Sequence, residues 1–228
     1  MLALLFCMGL YRVLIAPLVR LRDRSHELRT PLSCLRVAAE GGLQGQSLTQ
    51  RVMHEVQLMQ RLVDDTLELA WLDTERPRLA AEPVDLEALW DMLCERACFE
   101  SDWEPERLVY AVAPGCHLSC NLNALALALE NILRNAIRYS PEAGLIRLCG
   151  QAQADEWHLW LEDQGPGVPQ QLAQIFLPVT RLNGARPGDG GFGLGLSIAR
   201  SAIDGQGGRM YAENAHPGLR IYLHLPAA

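Results

Sequence analysis

The sequence predicts an α+β protein in which a helical hairpin precedes an α/β sandwich, and two observations predict this fold class. Between residues 21 and 76, apolar side chains recur at alternating spacings of three and four, which is typical of helices with one buried face. Beyond about residue 85, stretches of alternating apolar and polar residues are interleaved with helical patterns, which is typical of a sheet covered by helices. A chain of 228 residues is long enough for both domains.

The hairpin is predicted from two amphipathic helices at about 17–42 and 47–73, separated by the glycine-rich stretch GGLQGQS. In the first helix Leu21, Leu28 and Leu35 repeat every seven residues, as the core positions of a helical bundle do. Two helices cannot bury so wide an apolar surface alone. We therefore expect two copies of the hairpin to form a four-helix bundle, so that the protein is a homodimer.

A proline-bearing linker at 77–84 separates the hairpin, 21–76, from the second domain, 85–228. Four alternating stretches in the second domain predict strands: RLVYAVA, LIRLCGQ, EWHLWLED and LRIYLHLP. Helical patterns are interleaved with them, at about 85–99, 121–139 and 193–204. These elements predict the α/β sandwich.

Residues 1–20 are predicted to be the cytoplasmic end of a transmembrane helix with its juxtamembrane segment. The stretch is uncharged up to Arg12 and is followed by Arg20, Arg22 and Arg24, which the positive-inside rule places on the cytoplasmic side. A signal peptide is disfavoured because the charges lie on the wrong side of the apolar run. An apolar core helix is the alternative. We expect a protein of the inner (cytoplasmic) membrane whose catalytic domains face the cytoplasm.

Charge and cysteine usage exclude several classes of protein. The net charge of −7 gives no electrostatic basis for general binding of nucleic acid, and we expect none. Seven scattered cysteines without a C-x-x-C pair suit a reducing compartment. Cys94 and Cys98 lie one helical turn apart and are either two ligands of a metal or buried apolar residues, of which the second is favoured because no histidine pair is nearby.

His26 lies in the stretch SHELRTPL, at the position farthest from the predicted bundle core if Leu21 is a core position. Glu27 is adjacent and can orient the imidazole and accept its proton, while Thr30 lies one turn along the same outer face and Pro31 bends the helix. A neutral, exposed imidazole beside a carboxylate is a competent nucleophile. The zinc-protease pattern is incomplete, because Thr30 stands where the second histidine would be.

Asn131 and Asn135 lie at i and i+4 on one face of a predicted helix, with Arg138 and Tyr139 on the next turn. Carboxamide oxygens are hard, neutral ligands that Mg²⁺ accepts when phosphates and water complete its coordination shell. The two asparagines are therefore candidate metal ligands, and all four residues are candidates for a nucleotide site. Solvent-exposed polar residues on a helix are the alternative interpretation.

Asp163 ends a predicted strand, and Gly165 and Gly167 follow it in the stretch DQGPG. The glycines allow the backbone to turn because they carry no β-carbon. A carboxylate at the floor of such a turn can accept a hydrogen bond from the exocyclic amine of an adenine. An ordinary turn is the alternative.

A third candidate segment, GDGGFGLGLSIAR, is a glycine-rich loop that leads into a helical pattern. Such a loop presents unpaired backbone amides to an anion at the helix N-terminus. The residues concerned are Gly191, Gly193, Leu194 and Gly195. The segment is not a Walker loop, because it lacks G-K-[ST], and a flexible loop is the alternative.

In the same order along the chain, SHELRTPL, NILRNAIRYS, DQGPG, IFLPVTR and GGFGLGLSIAR resemble the H, N, G1, F and G2 boxes of two-component sensor histidine kinases. The resemblance extends from about Leu21 to the C-terminus. It implies a dimerisation and histidine-phosphotransfer hairpin followed by an ATP-binding domain of the Bergerat type, which is shared with gyrase, Hsp90 and MutL.

The resemblance also implies an activity, that of an ATP-dependent protein-histidine kinase. Asn135, helped by Asn131, would hold Mg²⁺, and Asp163 would recognise the adenine of ATP. Residues 191–195 would bind its phosphates beneath a mobile lid at about 178–190.

Further roles follow from the same resemblance. Arg181 of the F box would belong to the nucleotide site. His26 would receive the γ-phosphoryl group and pass it to an aspartate of a separate protein, the cognate response regulator. Thr30 would place the water molecule that removes the phosphoryl group from that regulator.

Two other functions remain open from the sequence. One is a non-catalytic or phosphatase-biased module that docks a response regulator. The other is a chaperone-like or mismatch-repair ATPase, but those related enzymes carry a water-activating glutamate one turn before the magnesium asparagine, where this chain has Asn131.

Overall fold

The computed structural model describes residues 52–53, 56–57, 59–60, 63–69, 72, 80–101, 103–168, 172–178 and 193–228. The chain divides into two compact units, 1–64 and 65–228. The described positions between 52 and 72 are helical, as the apolar spacing predicts. Within the described part of the chain, no helix has both the length and the apolar character that a membrane span requires.

Among the described residues from 80 to 228, the structure has seven strands and three α-helices. The strands are β1 (Glu82–Asp85), β2 (Leu108–Val112), β3 (His117–Cys120), β4 (Ile146–Gln153), β5 (Glu156–Glu162), β6 (Arg209–Asn214) and β7 (Leu219–Pro226). The helices are α1 (Leu86–Ser101), α2 (Leu122–Tyr139) and α3 (Gly195–Gly205), with short 3₁₀ turns at Pro105–Arg107 and Leu172–Phe176.

Five strands form one sheet in the order β2-β4-β5-β7-β6, in which only β2 and β4 are parallel. The other two, β1 and β3, form a separate antiparallel ribbon. Each helix contacts a strand of the large sheet, and α2 lies beside α3. The predicted α/β sandwich is confirmed.

Strand β5 shows why one face of the sheet is covered. Its buried residues, Trp157, Leu159 and Leu161, alternate with the half-buried His158 and Trp160. Because successive side chains of a strand point to opposite faces, the first set belongs to the core and the second to the outer face. Strand β7 alternates in the same way.

Helix α2 forms the centre of the helical layer. Asn121 caps it, since its side chain accepts a hydrogen bond of 3.0 Å from the amide of Ala124. Apolar residues at helical spacing then fill its buried face: Ala124, Leu125, Ala128, Leu129, Ile132, Leu133 and Ala136. Asn131 is buried among them and is the polar exception, so it is expected to have a specific partner.

Three strands were not predicted from the sequence: β1, β3 and β6. Strand β1 occupies residues assigned to the linker at 77–84, and it forms because Val84 and its neighbours pair with β3 more than thirty residues further along the chain. Pro83 donates no backbone hydrogen bond, which the ribbon tolerates better than the centre of a sheet would. The bounds of α1, α2 and α3 differ from the predicted ones by two residues at most, while the bounds predicted for the two hairpin helices lie outside the described residues.

Candidate active site

Asp163 lies at the first position after β5, with its side chain 4% exposed. Its Oδ1 accepts two backbone hydrogen bonds, from the amide of Gly165 at 2.8 Å and from the amide of Leu219 at 3.0 Å. Burial raises the pKa of this carboxyl above its ordinary value, while the two hydrogen bonds partly offset the shift. The strand end, the turn and β7 therefore hold Asp163 in a fixed position.

The two glycines that follow Asp163 are close to neighbouring backbone and side chains. A β-carbon on Gly165 would lie 2.8 Å from the carbonyl oxygen of Tyr139, the last residue of α2. Gly167 has φ of +69°, a conformation that favours glycine, and a β-carbon there would lie 2.8 Å from Oδ1 of Asn214. The absence of side chains thus lets the turn contact both α2 and β6.

Two residues that sequence reasoning missed support this turn, Asn214 and Gly218. Asn214 accepts a hydrogen bond from the amide of Val168 at 2.8 Å and donates one to its carbonyl at 2.7 Å. Gly218 has φ of +103°, and a β-carbon on it would collide with the carbonyl oxygen of Asp163. A proline–glycine pair signals a turn in the sequence, but nothing in the sequence indicates that this turn contacts Asp163.

The two candidate metal ligands on α2 have different surroundings. Asn131 is 4% exposed, and its Nδ2 donates to the carbonyl of Leu127 at 3.0 Å. Its Oδ1 would lie 2.9 Å from a β-carbon on Gly195, so α3 begins directly against it. Asn135 is half-buried, and its carboxamide makes no hydrogen bond within the described part of the chain. Both atoms of the Asn135 carboxamide are therefore free of protein partners among the described residues.

The glycine-rich segment does lead into a helix, α3. Gly193 has φ of +70° and Leu194 is buried. The carbonyl of Leu194 accepts hydrogen bonds from the amide of Ile198 at 2.9 Å and from Oγ of Ser197 at 2.7 Å. The first turn of α3 is thus fixed beside Asn131, which brings two of the three candidate segments together.

The predicted site residue Arg138 and the segment IFLPVTR each have one cation–aromatic contact in the structure. Arg138 is exposed, with its guanidinium carbon 5.4 Å from the ring centre of Tyr139. The F-box residue Phe176 is buried, and the guanidinium carbon of Arg200 on α3 lies 5.2 Å from its ring centre.

Several predictions lie outside the described residues. They concern Arg181, Gly191, most of the proposed lid at 178–190, the acceptor-helix residues His26, Glu27 and Thr30, and the membrane segment 1–20.

Cys94 and Cys98 are half-buried free thiols on α1. Burial raises the pKa of Cys94 to about 12 and also raises that of Cys98. A metal ion binds the thiolate form of cysteine, so a metal here would have to displace protons that burial helps the two thiols to retain. Among the described residues, no cluster with metal-binding geometry includes them.

Two protein-family models match the chain, each over a separate range of residues. Residues 21–75 match the His Kinase A (phospho-acceptor) domain, and residues 120–228 match the histidine kinase-, DNA gyrase B-, and HSP90-like ATPase family. The chain belongs to the two-component sensor histidine kinases.

Individual relatives agree with this assignment. The chain is 54% identical over 209 residues to the sensor protein PfeS of Pseudomonas aeruginosa, covering 91% of this chain and 46% of that protein. It is 36% identical over 213 residues to the sensor histidine kinase CpxA of Escherichia coli, covering 90% and 46%. The crystal structure of full-length ShkA in complex with AMPPNP superimposes with a TM-score of 0.65 at 26% identity, covering 92% of this chain and 46% of that one. The chain thus spans about half the length of the curated relatives it matches.

Proposed function

We propose that the protein is an ATP-dependent histidine kinase that phosphorylates itself on His26 and passes the phosphoryl group to an aspartate of a response regulator. The observation that carries the proposal is the convergence of Asp163, the α2 asparagines and the glycine-rich start of α3 in one fold. Each of these segments is weak evidence alone, since turns, polar helix residues and flexible loops are common. Their close approach through Gly165 and Gly195 supports a single nucleotide site.

The residues at the site fit a magnesium nucleotide. Asn135 offers a carboxamide oxygen with no competing hydrogen bond within the described part of the chain, and Mg²⁺ commonly takes one or two protein oxygens. Both hydrogen bonds to the carboxylate of Asp163 end on Oδ1, which leaves Oδ2 to accept from the amine of adenine. When bound, Mg²⁺ neutralises charge on the phosphates. The AMPPNP complex of the relative ShkA supports the same ligand class here.

Transfer of the γ-phosphoryl group depends mainly on the positions of the reacting groups and less on bond-making by protein side chains. One ring nitrogen of His26 attacks the γ-phosphorus in line while the bond to the β-phosphate oxygen breaks and ADP leaves. The proton on the other ring nitrogen passes to a base, for which Glu27 is the candidate. We propose that Gly193, Leu194 and Gly195 direct backbone amides of the α3 start towards the phosphates.

A second observation favours a kinase over a related ATPase. In the related ATPases a glutamate one turn before the magnesium asparagine activates water. Asn131 occupies that position on α2, and a carboxamide cannot act as a base. The adjacent carboxylate, Glu130, is held in ion pairs with Arg134 at 2.6 Å and with Arg96 of α1 at 3.3 Å. Because both ion pairs hold the Glu130 carboxylate against Arg134 and Arg96, it is not free to orient a water molecule, so we propose slow hydrolysis of ATP by water.

Incubation with γ-phosphate-labelled ATP tests the proposal. The wild-type protein should become labelled, and the label should be lost in acid and kept in alkali, as expected of phosphohistidine. At ATP concentrations below saturation, Asp163→Asn should label at least tenfold more slowly, because its amide nitrogen donates where adenine also donates. Since Asn can still accept both backbone hydrogen bonds, and loses a buried charge, its melting temperature should not fall. Phosphate release without labelled protein would indicate an ATPase instead.

We propose that the protein works as a homodimer attached to the inner membrane through residues 1–20, with its catalytic domains in the cytoplasm. The apolar sequence followed by Arg20, Arg22 and Arg24 supports the attachment. The full chain should sediment with membranes, while a chain lacking residues 1–19 should be released as a dimer that light scattering can measure. A full chain that stays in the supernatant without detergent would contradict the attachment.

A further inference from the structure

The outer face of the large sheet carries a cluster of three metal-ligating side chains that the nucleotide site does not use. His158 of β5 and His224 of β7 stand directly opposite each other in the antiparallel register. Glu156 lies two residues before His158 and therefore on the same face. One ligand atom from each of the three residues lies within 4.8 Å of the other two, and among the described residues no other such group occurs.

The polar atoms of this cluster are incompletely satisfied. Nε2 of His224 is buried and has no hydrogen-bond partner among the described residues. Nε2 of His158 lies 3.8 Å from Oε2 of Glu156, beyond hydrogen-bond distance. Buried polar atoms in folded proteins normally have a partner, so an unpaired imidazole nitrogen within this cluster requires an explanation.

We propose that Glu156, His158 and His224 bind a divalent transition-metal ion, with Zn²⁺ as the ion that fits best. Two histidines and one glutamate are an established ligand set for zinc, in which water completes the tetrahedron. Imidazole nitrogen favours Zn²⁺ and its neighbours in the first transition row over Mg²⁺ and Ca²⁺, which prefer oxygen. The site would connect β5 to β7, on the face opposite the helices.

Binding requires a small rearrangement of side chains. The two imidazole rings are stacked, with centroids 3.8 Å apart and planes 17° from parallel. A metal lies in the plane of each ring that binds it, so at least one ring must turn. Donor atoms around tetrahedral zinc are about 3.4 Å apart, given bonds of about 2.0–2.1 Å. The His158 side chain is 23% exposed, and rotation about its side-chain bonds needs no movement of the strand.

Arg209 of β6 affects the affinity of the cluster for a metal ion. Its Nη2 donates to Oε2 of Glu156 at 3.0 Å and lies 3.5 Å from Nδ1 of His224. The hydrogen bond orients the carboxylate, as partners outside the ligand set commonly do. Its positive charge also opposes a cation, but the side chain is 68% exposed, so water screens the repulsion. We therefore expect micromolar rather than nanomolar affinity.

The test uses the full chain, free of nucleotide and treated with chelator, and titrates it with Zn²⁺ in a calorimeter. Wild-type protein should bind one equivalent that the double variant His158→Ala/His224→Ala loses or binds at least tenfold more weakly. His117→Ala is the matched control, because His117 is exposed on β3, outside the cluster, and this variant should keep the equivalent. Circular dichroism without metal checks that each variant is folded.

The absorption spectrum of bound cobalt(II) identifies the type of ligand and distinguishes binding at this cluster from binding at any of the seven cysteines. Histidine and carboxylate ligands should give visible d–d absorption without the near-ultraviolet band of thiolate ligation. Should the double variant unfold, Glu156→Gln keeps both rings and should still weaken binding at least fivefold, because a neutral amide is the poorer ligand. Equal stoichiometry and affinity in wild type and the folded variants of Glu156, His158 and His224, or a cobalt spectrum of thiolates alone, would overturn the proposal.

Discussion

Replacing Asn135 with alanine should slow autophosphorylation at least a hundredfold, equivalent to about 2.7 kcal/mol of activation free energy. Its carboxamide is half-buried on α2 and has no hydrogen bond within the described residues, so alanine removes a candidate ligand atom without leaving a protein partner unpaired. With one fewer protein oxygen, the site should hold Mg²⁺ and orient the γ-phosphate poorly. Alanine is the best helix former, so α2 should stay intact.

The matched control is Asn123→Ala, which makes the same change at an exposed position in the first turn of α2. It should label at the wild-type rate. Calorimetry adds a second measurement, in which magnesium should strengthen ATP binding to the wild type and have a much smaller effect on Asn135→Ala. Labelling of Asn135→Ala at the wild-type rate would show that the metal site lies elsewhere.

The central strands could be predicted from the sequence because their environment is regular. Strands β4, β5 and β7 have at least seven residues each, and β5 and β7 alternate between core and outer face throughout. Strands β1 and β3 have four residues each, too few for alternation to be distinguished from chance. Strand β6 has charged residues near both ends and is defined by its pairing with β7. Strands β1 and β3 depend on each other across more than thirty residues of chain, whereas β6 depends on its hairpin with β7.

The sequence indicates which residue types make up the candidate site, but the contacts between those residues come only from the structure. Asp163, Asn135 and the glycines stand in recognisable short segments. In contrast, Asn214 and Gly218 support the Asp163 turn from β6 and from the turn before β7, some fifty residues along the chain. Asn214 contributes two hydrogen bonds with Val168, and Gly218 contributes the absence of a β-carbon. Neither has a local sequence signature, because both depend on what the fold brings alongside.

The structure gives a physical reason for the different roles of the two asparagines. At i and i+4 they share a helix face, and the resemblance assigns Mg²⁺ to Asn135 with the help of Asn131. In the fold, α3 begins against Asn131, whose amide already donates to Leu127, whereas Asn135 has no such partner among the described residues. We therefore infer that Asn131 positions the start of α3 and that Asn135 carries the larger share of metal binding.

Thr30→Ala should separate the two activities proposed for the acceptor helix. Phosphorylation of His26 needs the imidazole and a proton acceptor, and the Thr30 hydroxyl provides neither. Removal of phosphate from a response-regulator aspartate needs a water molecule that a hydroxyl can position. Autophosphorylation should therefore stay within a few-fold of wild type, while regulator dephosphorylation should fall more than tenfold, or by at least about 1.4 kcal/mol of barrier.

Two further variants make this separation specific. Thr30→Ser keeps the hydroxyl and should retain most of the dephosphorylation, which a purely steric role of the threonine methyl would not predict. His26→Ala should lose all labelling and confirm the acceptor. Both activities are measured on one preparation, by labelling with ATP and by the decay of a separately phosphorylated regulator. If Thr30→Ala lost both equally, the threonine would only support the helix, because a change in helix geometry would disturb the histidine and the docked regulator together.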